Sequence, residues 1–216
     1  MSIIIKSGAS ANTMTVDSSG ASRTTLYDTG GDSAMITTGG SLHSNIAEVT
    51  VTKASYSGAV NALTPPATPT DMVTLTGSAS KTLRIIRIEL STTQTTAGVN
   101  AFFLVKRSTA NSGGTSASVT AVPHDSTNAA ASGTMLSYTA NPAALGTSVG
   151  NVRATKVLTP ALTSLASVAY VWDFGGVGGG QPIVLSGTSQ VLSLNFNGAA
   201  LPAGLSVNCT YTWTEE

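Results

Sequence analysis

Hydrophobic and polar residues alternate with a period of two along much of the chain, most clearly near its end. Leu205, Val207, Cys209, Tyr211 and Trp213 fall on one parity, with Ser206, Asn208, Thr210, Thr212 and Thr214 on the other. That is the pattern of a strand with one buried face. Burying the five would contribute about 10 kcal/mol gross, before chain entropy opposes it. Leu192, Leu194 and Phe196 alternate in the same way with Ser193, Asn195 and Asn197, and Val168, Tyr170, Trp172 and Phe174 with Ala169, Val171 and Asp173. Upstream, residues 71–76, 81–90 and 100–107 form three consecutive strand-like runs, separated by Gly77-Ser78-Ala79-Ser80 and by residues 91–99. The middle run changes phase. Leu83 and Ile85 share one parity, whereas Ile86, Ile88 and Leu90 take the other. Either a bulge near Ile85–Ile86 inserts an extra residue, or both faces of the strand are covered, one of them by a second copy of the chain. The second alternative places self-association on Arg84, Ile86, Ile88 and Leu90, with a closed homotrimer as the expected assembly.

The remaining signals complete an all-β reading. Pro65, Pro66 and Pro69 exclude a central strand over 63–70 and predict a stiff crossing segment. Residues 108–132 are small and polar, and long enough to hide a short strand near 119–122. Residues 135–139 and 152–158 read as strands, and 160–167 could make one helical turn. About eight strands with long crossings predict an antiparallel β-sandwich of jelly-roll-like form over residues 46–216. Residues 1–45 differ. Their apolar pieces are barely strand length and stand between Asp- and Gly-rich turns such as Asp17-Ser18-Ser19-Gly20 and Asp28-Thr29-Gly30-Gly31. They predict an extended arm of short β pieces that orders by adding to something else, with Ile3, Ile4, Ile5, Val16, Leu26, Tyr27, Met35 and Ile36 as its docking residues.

Composition narrows the chemistry. Ten basic and ten acidic side chains, 9% of the residues between them, leave no net charge, so nucleic acid is not expected as a partner. No apolar run approaches the length of a membrane-spanning helix, so no membrane partner is expected either. The single cysteine rules out an internal disulfide, and its inward parity marks a core thiol. Two histidines about 80 residues apart give no zinc framework, and neither a metal nor a cofactor is expected.

The motifs that suggest chemistry lack its context. Gly176-Val177-Gly178-Gly179-Gly180 misses the phosphate-loop spacing at Gln181 and reads as a hairpin loop. His124-Asp125 is an adjacent imidazole–acid pair without a nucleophile elbow, and reads as a polar loop tip. Glu215-Glu216 is the one clustered carboxylate pair that a glycan-cleaving enzyme could use. Trp172 and Trp213 could stack on sugars, but their parity assigns them to the core. Lys81, Arg84, Arg87, Lys106 and Arg107 gather on two consecutive strands, where they would meet an acidic partner or keep sheet edges apart. No catalytic residue is assigned.

Several words of the sequence resemble structural proteins of tailed bacteriophages. Ile5-Lys6-Ser7-Gly8-Ala9, Thr15-Val16-Asp17 and Thr25-Leu26-Tyr27-Asp28 are similar to an arm found on such proteins, and residues 105–115, 122–126, Trp172-Asp173-Phe174-Gly175 and Trp213-Thr214-Glu215-Glu216 look like the same group. The resemblance implies a non-enzymatic virion component made in the host bacterial cytoplasm. It would be a capsid decoration (cement) protein whose partners are the major capsid protein, other virion proteins and copies of itself. The alternative is a tail- or fibre-associated module that binds a host-surface glycan.

Overall fold

The computed structural model describes residues 53–163, 168–175 and 181–216, together with the backbone of four strands upstream. The chain divides after Thr52, rather than after residue 45, into two compact units. In the first, β1 (Thr13–Val16), β2 (Ser22–Tyr27), β3 (Ser33–Ile36) and β4 (Leu42–His43) pair in sequence as an antiparallel meander. Residues 48–52, where Val49 and Val51 alternate with polar neighbours in a strand-like pattern, lie outside the described residues.

The second unit is all-β among its described residues. It comprises β5 (Ala54–Leu63), β6 (Asp71–Thr76), β7 (Thr82–Thr93), β8 (Gly98–Arg107), β9 (Thr115–Val119), β10 (Ala121–Pro123), β11 (Thr134–Ala140), β12 (Ser148–Thr159), β13 (Val168–Asp173), β14 (Ile183–Ser186), β15 (Val191–Asn195) and β16 (Ser206–Glu215). Sheet I runs β10-β5-β16-β7-β13, with β14 following β13 along the same edge of β7. Sheet II runs β12-β8-β15-β6-β11-β9. With β13 and β14 taken as one interrupted strand and β9–β11 set aside, eight strands remain. Numbered along the chain, they form sheets in the order 1-8-3-6 and 2-7-4-5, which is the jelly-roll winding. The predicted sandwich is therefore present.

Residues 108–147 form an excursion between the fourth and fifth of these strands. The hidden strand expected near 119–122 proves to be two, which part company at Thr120. β9 pairs with β11 at the edge of sheet II, and β10 pairs with β5 at the edge of sheet I. The proline segment 64–70 carries the chain from sheet I to sheet II, as its stiffness predicts.

The core lies between the sheets. Leu205, Val207, Cys209, Tyr211 and Trp213 all face it, and Trp172 joins them from β13. Phe102 and Phe196 meet edge to face with centroids 5.1 Å apart. The phase change in β7 is a bulge. Ladder pairing with β16 steps from Thr212↔Arg87 to Trp213↔Ile85, which leaves Ile86 as the extra residue. Leu83 and Ile85 before it, and Ile88 and Leu90 after it, then all enter the same core. Self-association through Arg84, Ile86, Ile88 and Leu90 loses its basis accordingly. Ile88 and Leu90 are fully buried within one chain, and of the four only the half-buried Arg84 and Ile86 stay on the outer side.

Candidate functional site

Of the docking residues expected in the arm, Val16 lies on β1, Leu26 and Tyr27 on β2, and Met35 and Ile36 on β3. Ile3, Ile4 and Ile5 lie outside the described residues, as does the glycine run 176–180. The strands flanking that run follow one another along β7, both antiparallel to it. They pair with β7 and not with each other.

The five basic residues form no patch, because β7 and β8 belong to opposite sheets. Arg84 bonds Glu216, and Arg87 pairs with Glu89 at 2.5 Å. Lys106 donates to the Val184 carbonyl across the sandwich at 2.9 Å. Arg107 is buried against Asp71. The carboxylates of Glu215 and Glu216 also separate. Alternation along β16 turns Glu215 inward, where it accepts bonds from Ser132 N and Oγ, Gly133 N and Trp213 Nε1, while Glu216 faces outward to Lys53 and Arg84. Burial of Glu215 by itself would raise its carboxyl, but the bonds from Ser132, Trp213 and Gly133 outweigh it and hold the group below its ordinary value. Its role is to tie residues 132–133 to the last strand. Cys209 is enclosed in the core, and burial pushes its thiol far above the usual range, so it is inert as a nucleophile.

His124 has a partner that its sequence neighbours do not suggest. Strand β10 brings it beside β5, where its Nε2 lies 2.7 Å from Ser57 Oγ, and that hydroxyl is 3.0 Å from Thr212 Oγ1 on β16. Nucleophilic catalysis would need an acid on the far side of the ring. Asp125 instead accepts from Thr127 N and Oγ1 at 2.9 and 2.7 Å, closing its own turn. Those bonds hold its carboxyl below the ordinary value. The result is a cluster of polar side chains on the outer face of sheet I.

The most developed polar site is on the outer face of sheet II. The jelly-roll order sets β15 between β6 and β8, so Asp71, Asn195 and Arg107 converge although they are far apart in the chain. Arg107 grips Asp71 with two parallel bonds, Nε to Oδ2 at 2.6 Å and Nη2 to Oδ1 at 2.8 Å. Asn195 Nδ2 adds 2.6 Å to Oδ1, and Asn111 Nδ2 adds 2.8 Å to Oδ2. Burial tends to raise the Asp71 carboxyl, but the bonds from Arg107, Asn195 and Asn111 and the guanidinium charge outweigh it and hold it below the ordinary value.

The excursion closes over this pair. Ser112 and Ala144 exchange backbone bonds, Gly146 N donates to Asn111 Oδ1 at 2.8 Å, and Gly146 O accepts from Arg107 Nη1 at 2.7 Å. Glycine is required at 146, because a Cβ there would collide with the Thr109 carbonyl. Beside the clasp is a depression of about 290 Å3, with Phe103, Arg107, Asn195 and Asn197 among its walls.

No protein-family model, curated protein or solved structure matches the chain.

Proposed function

We propose that the chain is a non-enzymatic structural protein of a tailed-phage particle, a capsid decoration protein that docks through residues 1–52 and projects the sandwich of residues 53–216. The observation that carries this reading is the division after Thr52. Upstream of it, strands of two to six residues pair in a simple meander. Pieces so short gain stability by adding to another sheet, which suits an attachment arm. Downstream, the residues buried between the two sheets form one core within a single chain.

The phage-like words quoted above, several of them in the arm, support the same assignment. So does the use made of the buried carboxylates, since Asp71 and Glu215 each spend their oxygens on holding loops. The test compares the full chain with residues 53–216 by circular dichroism and by co-sedimentation with phage particles. The truncated form should keep its β spectrum and lose attachment. Co-sedimentation of the truncated form would place the anchor elsewhere and overturn the reading. Copy number in purified particles, high for a shell decoration and low for a fibre, separates the capsid role from a fibre role.

A further inference from the structure

We infer that the depression beside the Asp71–Arg107 clasp is a binding site for a neutral sugar ring. The inference does not depend on where the chain sits in a particle. Three features of the walls lead to it. The first is charge. Arg107 is the one charged residue lining the depression, and Asp71 neutralises it with two bonds. An anionic ligand would find no net positive charge to offset its desolvation, whereas a neutral one has none to lose.

The second feature is hydrogen-bonding capacity. A guanidinium has five N–H donors, and three of those on Arg107 are spent on Asp71 and Gly146. Two remain without a partner among the described residues, on a side chain that is only 5% exposed. Buried donors of this kind favour a ligand that brings acceptor oxygens. Asn151, Asn195, Asn197 and Ser148 line the same space. Amides and hydroxyls both give and accept hydrogen bonds, as sugar hydroxyls do. The Asn195 amide is held in place before any ligand arrives. Asn195 donates to Asp71 and accepts from Asn197 N at 2.6 Å, which sets Asn197 at a φ of 60°.

The third feature is Phe103, half-buried on the outer face of β8, which gives the depression an aromatic wall. A pyranose presents a face of C–H groups, and an aromatic ring can cover it with apolar burial while the hydroxyls at the ring's edge reach the amides. At about 290 Å3 the space lies at the small end of ligand pockets. It suits one ring of a glycan whose remaining residues stay in solvent.

The test is titration of the full chain with glucose, galactose, mannose, N-acetylglucosamine and their neutral oligosaccharides, followed through side-chain amide and backbone resonances. At least one should give saturable shifts centred on Asn195 and Asn197, with a Kd on the order of 1 mM. Asn197→Gly keeps the backbone conformation and removes the amide, and Asn151→Ala removes an exposed one. Each should weaken binding about tenfold without moving the thermal midpoint, and Phe103→Ala should abolish it. Three results would overturn the assignment: no saturable shift with any neutral sugar, shifts that map elsewhere, or an affinity unchanged in both Asn197→Gly and Asn151→Ala. Binding confined to sulfated or phosphorylated sugars would overturn it as well, because the charge argument would then be wrong.

Discussion

The outer faces of the two sheets carry polar residues at outward positions, and the two sets have different fates. On sheet I, Thr210, Thr212 and Thr214 lie partly open between Ser55 and Ser57 on one side and Arg84, Arg87 and Glu89 on the other. Their ion pairs sit in water, and such pairs contribute little. On sheet II, Asp71, Thr74, Ser193, Asn195 and Arg107 are all buried. The residue types are similar, and the difference is the cover that loops 108–114 and 141–147 provide. A charge under that cover must be paired, or it is costly. Alternation alone says which way a side chain points and nothing about what lies there.

The comparison can be broken most severely along β7, where inner and outer sides meet at one bulge. Ile88→Asp places a carboxylate in the core and should cost more than about 4 kcal/mol, removing the cooperative melt. Ile86→Asp, one step back on the outer side, should keep the native β spectrum. If Ile88→Asp folded normally and only lowered the mass seen by light scattering, Ile88 would face a partner and the bulge assignment would fail.

Next in size is the clasp. Arg107→Ala leaves Asp71 buried and unpaired and should cost about 3–5 kcal/mol in denaturant melts. Arg87→Ala, an outward arginine on sheet I, should not shift the same curve measurably. Equal effects from the two would mean that the cover over sheet II does not exclude water. Gly146→Ala attacks the cover itself by forcing the Thr109 carbonyl away, and should cost about 1–3 kcal/mol. It should also speed hydrogen exchange at Ser112 and Ala144, whose bridge holds the two loops together.

The smallest and most graded effect is that of acid. The Asp71 and Glu215 carboxyls are held below their ordinary values in the folded chain. The unfolded chain therefore binds protons first as pH falls, and the stability these groups contribute is present above the ordinary carboxylate range and lost below it. The thermal midpoint should be level from neutrality to about pH 5 and fall below about pH 4. Asp71→Asn should start from a lower midpoint and show a shallower acid decline. A midpoint that rises on acidification would show that neither carboxylate is bonded as described.

Asn195 and Arg107 show how much of the candidate site could be read along the chain. Asn195 stood on the polar parity of its strand, and Arg107 appeared as one of five basic residues on two strands. Both observations were correct and neither pointed to a shared site. Their meeting depends on β15 entering between β6 and β8, a pairing of segments more than 80 residues apart. Ser57 and His124 are a similar case. No motif links them, and their hydrogen bond exists because β10 adds to the edge of sheet I beside β5. A signal for the clasp was present, since an aspartate opening an apolar strand needs a partner, but nothing local identified that partner.

By itself the sequence determined the β class, the parity of the core residues and the separateness of the first segment. These follow from local physics, namely the period of two, the breaking power of proline and glycine, and the apolar content available to bury. Only the tertiary structure decided the winding order, the bulge at Ile86, the descent of β9 and β10 into opposite sheets, and the burial of Asp71 with Arg107. Each of these depends on which distant strand becomes a neighbour. That choice is made by the closing of the whole core and by hydrogen bonds between segments remote in sequence, and no short window of residues contains it.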